Sequence, residues 1–328
     1  GCLINGRTVC AGYAKAFQLI MRELGYDCSY ITGEAGEPHG WNCIYLDGEG
    51  YYVDITWDDS IWGATRWDVI GRIDHKHFMV SSSKLYESHA ATDYDTSPTD
   101  TTYDSYYWHD SQSAFQLVDN KLYYIDQKNA NLVCKTDEKI VRSVKDIWYA
   151  SADSYWPKNY SYLGSDGDVL FFSQADAIVE YNPRTDVLRT VHTPDLSVGE
   201  YYYVYGFTYI DGYFVYDING SPNFGEPTMY RVKVQHDKAL PTVSITAGND
   251  CADKQVVSID LADNVGIKGY YFGKSPIAEL NAYKACTTKA QETISAEGTY
   301  YIFAVDVSGN VSEAKSVICV PESASTKF

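Results

Sequence analysis

Apolar residues recur at Tyr13, Phe17, Ile20, Met21 and Leu24, a spacing that covers one face of a 3.6-residue period. They predict an amphipathic helix running from just after Thr8 to Leu24 and closed by Gly25. That face is expected to be core. Residues 26–32 then read as a strand, and residues 41–46 and 51–56 as the arms of a hairpin whose turn, Asp47-Gly48, is of the favoured two-residue kind. A helix followed by strands predicts an α+β fold for this first segment. The polar stretch 91–102, with Pro98 among Asp, Thr and Ser, has the composition of a boundary, so the segment is set at 1–98.

Over 99–236 the pattern changes to hairpins. Val118-Asp119-Asn120-Lys121-Leu122-Tyr123-Tyr124, Asp166-Gly167-Asp168-Val169-Leu170-Phe171-Phe172 and Ile210-Asp211-Gly212-Tyr213-Phe214-Val215-Tyr216 repeat one motif at intervals of roughly 40–50 residues, the spacing of propeller-type repeats. An all-β, propeller-like region is expected, although three copies fall short of the four to eight blades that close a propeller. Unrelated hairpins sharing a common turn chemistry are the competing explanation. Residues 237–322 alternate as short strands at 256–261, 269–272 and 299–307, with turns at Asp263-Asn264 and Ser308-Gly309-Asn310. The run 298–310 resembles the penultimate strand and turn of bacterial immunoglobulin-like modules, so a β-sandwich is expected, with 323–328 as a tail. The chain therefore reads as multidomain.

Composition narrows the partners. With 328 residues the chain exceeds one ordinary core, and 45% hydrophobic against 21% charged residues is a globular balance. No apolar run approaches the roughly 18 residues of a membrane span. Lys and Arg total 26 against 44 Asp and Glu, and the resulting −18 excludes a basic surface for nucleic acid. The 31 tyrosines favour half-exposed β surface. Eight scattered cysteines reveal no disulfide framework and leave the redox compartment open. The chain opens in mid-pattern at Gly1-Cys2-Leu3, as expected of a sequence once preceded by an export signal and further structure.

A lone cysteine is usually an inert buried residue. Cys10 differs because it opens the predicted helix, where unpaired N–H groups and the positive end of the dipole stabilise a thiolate. His39 and Asp54 follow near the hairpin arms, and a thiol, an imidazole base and an orienting carboxylate form the set that activates cysteine for acyl transfer. With a two-residue loop at Asp47-Gly48, Leu46 faces Glu49, Trp41 faces Asp54 and His39 faces Thr56. His39 and Asp54 then share a sheet face as diagonal neighbours about 7–8 Å apart. A three-residue loop would send them to opposite faces.

Three stretches now resemble the transglutaminase-like superfamily in its bacterial form: Asn5-Gly6-Arg7-Thr8-Val9-Cys10-Ala11-Gly12-Tyr13-Ala14, His39-Gly40-Trp41-Asn42, and Asp47-Gly48-Glu49-Gly50-Tyr51-Tyr52-Val53-Asp54-Ile55-Thr56-Trp57-Asp58-Asp59. The resemblance covers residues 1–90. It implies a papain-like domain in which Cys10 forms a thioester, His39 shuttles the proton, Asp54 fixes the imidazole and the Cys10 N–H supplies an oxyanion donor. Two departures stand out: Gly40 replaces a small alanine, and the family places helical structure upstream of its cysteine.

Other residues receive plainer roles. Tyr13, Trp41 and Trp57 are candidates for the substrate cleft, with Trp62 beside them, and buried packing is the alternative for each tryptophan. His75-Lys76-His77 with Asp74 lacks the ligand pairing of a zinc site, Cys43 reads as core, and Asp58-Asp59 as a solvated turn. Asp263-Asn264 and Asp306 read as turn formers rather than calcium ligands. No cofactor or metal is expected. The chain as a whole reads as an exported or cell-surface bacterial cysteine hydrolase, or else a transglutaminase, acting on a protein or peptide, cell-wall peptide included. Its β modules would hold a surface glycan or protein. The rival is an adhesion protein with a degenerate catalytic domain.

Overall fold

The computed structural model describes residues 8–59, 61–62, 67–92, 97–156, 158–220, 228–234, 237–247, 255–276 and 282–319. Asn5-Gly6-Arg7 of the cysteine motif, Cys2, Cys251, the side chain of Trp62 and the 323–328 tail lie outside them. The chain divides into two compact units. The first comprises Gly1–Gly167, Phe171–Ile178 and His192–Lys233, and the second Asp168–Leu170, Val179–Val191 and Val234–Phe328.

In the first unit, helix α1 (Cys10–Glu23) is followed by strands β1 (Asp27–Glu34), β2 (Pro38–Leu46) and β3 (Glu49–Val53), a one-turn helix α2 (Ile55–Asp58), and a short ribbon, β4 (Ile61–Trp62) with β5 (Trp67–Asp68). Then come β6 (Phe78–Val80), α3 (Ser82–Leu85) and β7 (Ala90–Ala91). One antiparallel sheet results, in the order β6-β3-β2-β1-β7. Alternation along the strands sends side chains to both faces. Ile44, Tyr51, Val53 and Met79 form one cluster, against which Phe17 and Met21 of α1 pack. Trp41, Cys43, Tyr52, Val80, Leu85 and Ala91 form the cluster of the other.

The apolar face of α1 is narrower than the periodicity predicts. Ala14 is buried and Phe17 and Met21 pack on the sheet, whereas Ile20 and Leu24 are 44% and 64% exposed. The sheet contact runs along Ala14, Phe17 and Met21, one seam of the helix, and leaves the flank to solvent.

The hairpin has the expected register, with Leu46 opposite Glu49, Cys43 opposite Tyr52 and Asn42 opposite Val53. Asp47 and Gly48 both hold positive φ, 51° and 90°, as a two-residue turn of the primed type requires. Pairing ends at Asn42 and Val53, however, so the predicted 41–54 and 39–56 pairs do not form. The reason is local. Asp54 takes the N-cap position of α2, its Oδ1 accepting from Thr56 N at 2.9 Å and Trp57 N at 3.2 Å, and the chain leaves the sheet there.

Each copy of the repeated motif sits at a turn between strands. Asp119 and Asn120 (φ 52° and 59°) join Gln116–Val118 to Lys121–Asp126, and Asp211 and Gly212 (φ 50° and 81°) join Tyr203–Ile210 to Tyr213–Asn219. Gly167, at φ 93°, lies between Leu163–Ser165 and Leu170–Ser173. The first hairpin continues as a four-stranded antiparallel meander and the third as a three-stranded one.

In the second unit, Thr242–Ala247, Gln255–Ala262 and Lys289–Ile294 form a three-stranded sheet, and Lys284–Ala285, Ile267–Gly273, Gly298–Asp306 and Lys315–Cys319 a four-stranded one. Inward residues of both, among them Val257, Ile259, Ile302 and Val317, share one apolar core, which makes the pair a β-sandwich. Cys319, 3% exposed in that core, is disulfide-bonded.

Candidate active site

Cys10 is the first residue of α1. No side chain caps this helix, and the Val9 carbonyl accepts the Gly12 and Tyr13 N–H groups at 2.8 and 3.2 Å, so the Cys10 N–H has no partner among the described residues. Asn42 ties the helix to β2, its Nδ2 donating to the carbonyls of Ala14 at 2.9 Å and Ser29 at 3.2 Å. Cys10 is half-buried, and among the described residues no hydrogen bond joins its thiol to His39.

His39 and Asp54 do meet. His39 Nε2 lies 2.7 Å from Asp54 Oδ2, and a carboxylate oxygen can only accept here, so the ring donates from Nε2 and keeps Nδ1 for another group. The carboxylate divides its work: Oδ1 caps α2, while Oδ2 accepts from His39 and also from His89 Nε2 at 2.9 Å. Burial by itself pushes the Asp54 carboxyl up. The hydrogen bonds from His39 and His89 outweigh burial and hold it well below the usual carboxylate range.

His89 went unforeseen in the sequence, where nothing but its residue type marks it. Its side chain is 0% exposed, its Nε2 is the donor to Asp54 because a carboxylate oxygen can only accept, and its Nδ1 lies 2.8 Å from the Ser88 hydroxyl. Leu85 and α3 bring it there, since the His89 N–H donates to the Leu85 carbonyl at 3.1 Å. That approach is tertiary and leaves no local pattern.

Trp57 is 39% exposed, with its ring centroid 6.2 Å from that of His39 and 4.5 Å from that of His89, so it presents an aromatic face beside the imidazole. Trp41, expected to line the cleft, is 0% exposed; its ring stacks 6.1 Å from His39 and meets His89 and Tyr52 edge-on. It is a floor under the histidines and offers no surface, because the alternation of β2 turns it into the core beneath α3. Tyr13 donates its hydroxyl to Asp59 Oδ2 at 2.5 Å, linking α1 to the end of α2. Gly40 makes room for Tyr30: a Cβ there would stand 2.5 Å from the tyrosine oxygen.

Asp58, expected in a solvated turn, is 4% exposed and grips His77 through its N–H at 2.9 Å and Nδ1 at 3.0 Å. Burial raises its carboxyl, and the His77 bonds only partly offset this. His75 turns the other way, with Nδ1 on the Ser111 carbonyl at 3.0 Å, so the two histidines share no ligand point. Cys43 is fully buried, which pushes its thiol up to about 11, and burial likewise raises that of Cys28. In the sandwich, Asp263 Oδ1 accepts from the N–H groups of Val265 and Gly266, and Asp306 Oδ1 from Asn310 N. Carboxylate oxygens of Asp237, Asp263 and Asp306 nevertheless lie within 4.8 Å of one another. Burial and these like charges raise the Asp306 carboxyl against the pull of Asn310.

No family model matches the chain. It is 29% identical to mouse kyphoscoliosis peptidase over 96 residues, and 35% identical to the human protein of that name over 68 residues. These matches take in 25% and 17% of this chain, which spans 14% and 10% of the length of the two relatives. Among solved structures, extracellular domains of a one-component system and a hybrid two-component system from B. thetaiotaomicron align over 86% of this chain and 43% and 49% of theirs, at 9% and 11% identity and TM-scores of 0.25 and 0.26.

Proposed function

We propose that the chain carries a cysteine acyl-transfer centre with Cys10 as nucleophile, His39 as general base and Asp54 as the carboxylate that orients it. The observation that carries this reading is the 2.7 Å bond from His39 Nε2 to Asp54 Oδ2, which leaves Nδ1 as the nitrogen available to a thiol proton. Asn42, three residues along the same strand, holds α1 one turn beyond Cys10, so base and nucleophile share a rigid support. Catalytic hydrogen bonds are often open before substrate arrives, so an unmade Cys10–His39 bond accords with an unliganded centre.

In the reaction, the thiol transfers its proton to His39 Nδ1 as sulfur attacks a peptide or carboxamide carbonyl. The imidazolium then protonates the departing amine, leaving a thioester on Cys10. The Cys10 N–H supports the developing oxyanion. Water then resolves the thioester in a hydrolase, an amine in a cross-linker. Hydrolysis is favoured because water is always present and because both mammalian relatives bear the name peptidase.

A helix presenting Cys10 against the sheet bearing His39 fits the papain-like layout, with residues 1–98 as the catalytic domain, 99–236 as propeller-like repeats and 237–322 as an immunoglobulin-like module. The bonded Cys319 suits an oxidising compartment and hence an extracellular or surface location. The alternative, an adhesion protein with a degenerate centre, draws on the same unmade Cys10–His39 bond. Trapping a thioester from a peptide and cell-wall library, with Cys10→Ala as control, decides between them. Acylation of the native chain alone is expected, and no acylation together with equally slow iodoacetamide labelling of all free cysteines would leave the adhesion reading.

A further inference from the structure

Within the first unit a cavity of about 340 Å³ opens between the turn after strand Lys121–Asp126 and the ribbon of Trp148–Ser151 and Ser154–Trp156. None of the candidate catalytic residues lines it. Its wall includes Lys128, Lys145, Lys158, Tyr155, Trp156 and Asn159, a concentration of positive charge in a chain whose formal net charge is −18. The one carboxylate in the lining is already occupied: Asp146 accepts from Ile147 N at 2.9 Å and from Ala175 N at 2.7 Å. Lys128 meets Asp110 at 3.5 Å in an exposed, weakly held pair. Lys145 and Lys158 have no ion-pair partner among the described residues.

Lys158 keeps access to solvent yet is crowded by protein, as a group on a cavity wall is. That crowding, with the cations of Arg72 and Lys76, pushes its ammonium down to about 8 against the pull of Asp74. Asn159 is 7% exposed. Its Oδ1 is fixed by the Ser161 N–H at 2.9 Å, and its amide is packed into the wall of the cavity. Tyr155, 60% exposed, adds an aromatic surface at the rim.

We propose that this cavity binds a carboxylated sugar, a hexuronic acid unit of an acidic polysaccharide. Its carboxylate is held by Lys145 and Lys158, and the C–H face of the pyranose lies on Tyr155. The cavity falls at the small end of ligand pockets, a size for one or two sugar units. A bare inorganic anion would leave the aromatic face unused. The site stands whether or not Cys10 is a nucleophile.

Calorimetric titration of the full chain with galacturonate, glucuronate and mannuronate tetramers tests it, alongside their carboxyl-reduced analogues and inorganic phosphate. Saturable binding of at least one tetramer is expected. It should weaken at least ten-fold on carboxyl reduction, in Lys145→Met/Lys158→Met and in Tyr155→Ala, and should fall with added salt. The lysine variants alter exposed side chains, so their thermal melts should match the parent and separate lost binding from lost folding. Equal binding of the neutral analogues, phosphate binding as tight as the tetramers, unchanged binding in the double lysine variant, or no heat with any tetramer would each overturn the proposal.

Discussion

Asp54 concentrates the chemistry of the first unit in one side chain, because each of its oxygens answers to a different partner. Its folded carboxyl is held below the unfolded value, so its contribution to stability is fully present above about pH 4 and drains away as the pH falls toward the depressed folded value. Chemical denaturation between pH 7 and 3 should show that loss in the parent, and Asp54→Asn should show a shallower acid slope from a lower starting stability. His89 reaches His39 through Asp54, since both rings donate to the same oxygen. Replacing it with leucine removes one donor from Oδ2 while keeping the core filled, so iodoacetamide labelling of Cys10 across pH should keep its amplitude but shift its midpoint. Cys10 itself should label at about pH 6 far faster than Cys28 and Cys43, whose burial raises their thiols, and His39→Ala should slow Cys10 at that pH while leaving the two buried thiols unchanged.

At the scale of elements, the hairpin was legible in the sequence because Asp47-Gly48 permits one turn geometry, and that geometry dictates which residues face each other. Gly48→Ala, forced into a positive φ of 90°, should cost about 1 kcal/mol in denaturant unfolding. The meeting of His39 and Asp54 was legible too, but its route was not. Strand propensity across residues 51–56 concealed a competing local bond, in which Asp54 caps the backbone and bends the chain into α2. Periodicity likewise overstated the buried face of α1, since it reports which positions are apolar and not how much sheet lies beneath them. His89, Trp41 as a floor and the burial of Asp58 all arise from residues distant in sequence, where no spacing rule reaches. Asn42→Ala, which cuts the bond from β2 to the Ala14 carbonyl of α1 and the one to the Ser29 carbonyl of β1, should destabilise the first unit by about 1–3 kcal/mol and slow Cys10 labelling.

For the whole molecule, the two compact units differ in what secures them. The second closes its sandwich core around a bonded Cys319, so reduction should lower its stability by roughly 2–4 kcal/mol, seen as a reductant-sensitive transition in calorimetry. Among the described residues the first holds Cys10, Cys28, Cys43 and Cys134 free. Tyrosine pervades both units, and the β architecture it announced is what the chain builds.

The double duty of Asp54 also shapes how such a chain would drift under mutation. A descendant that abandoned chemistry would still need this carboxylate to start a helix and pin two buried rings, so its persistence would be a poor witness to activity. The sulfur at position 10, which bonds to none of these groups, carries no such architectural obligation. Among variants of this fold, the residue at that position is the one to consult on whether an ancestral trade is still practised.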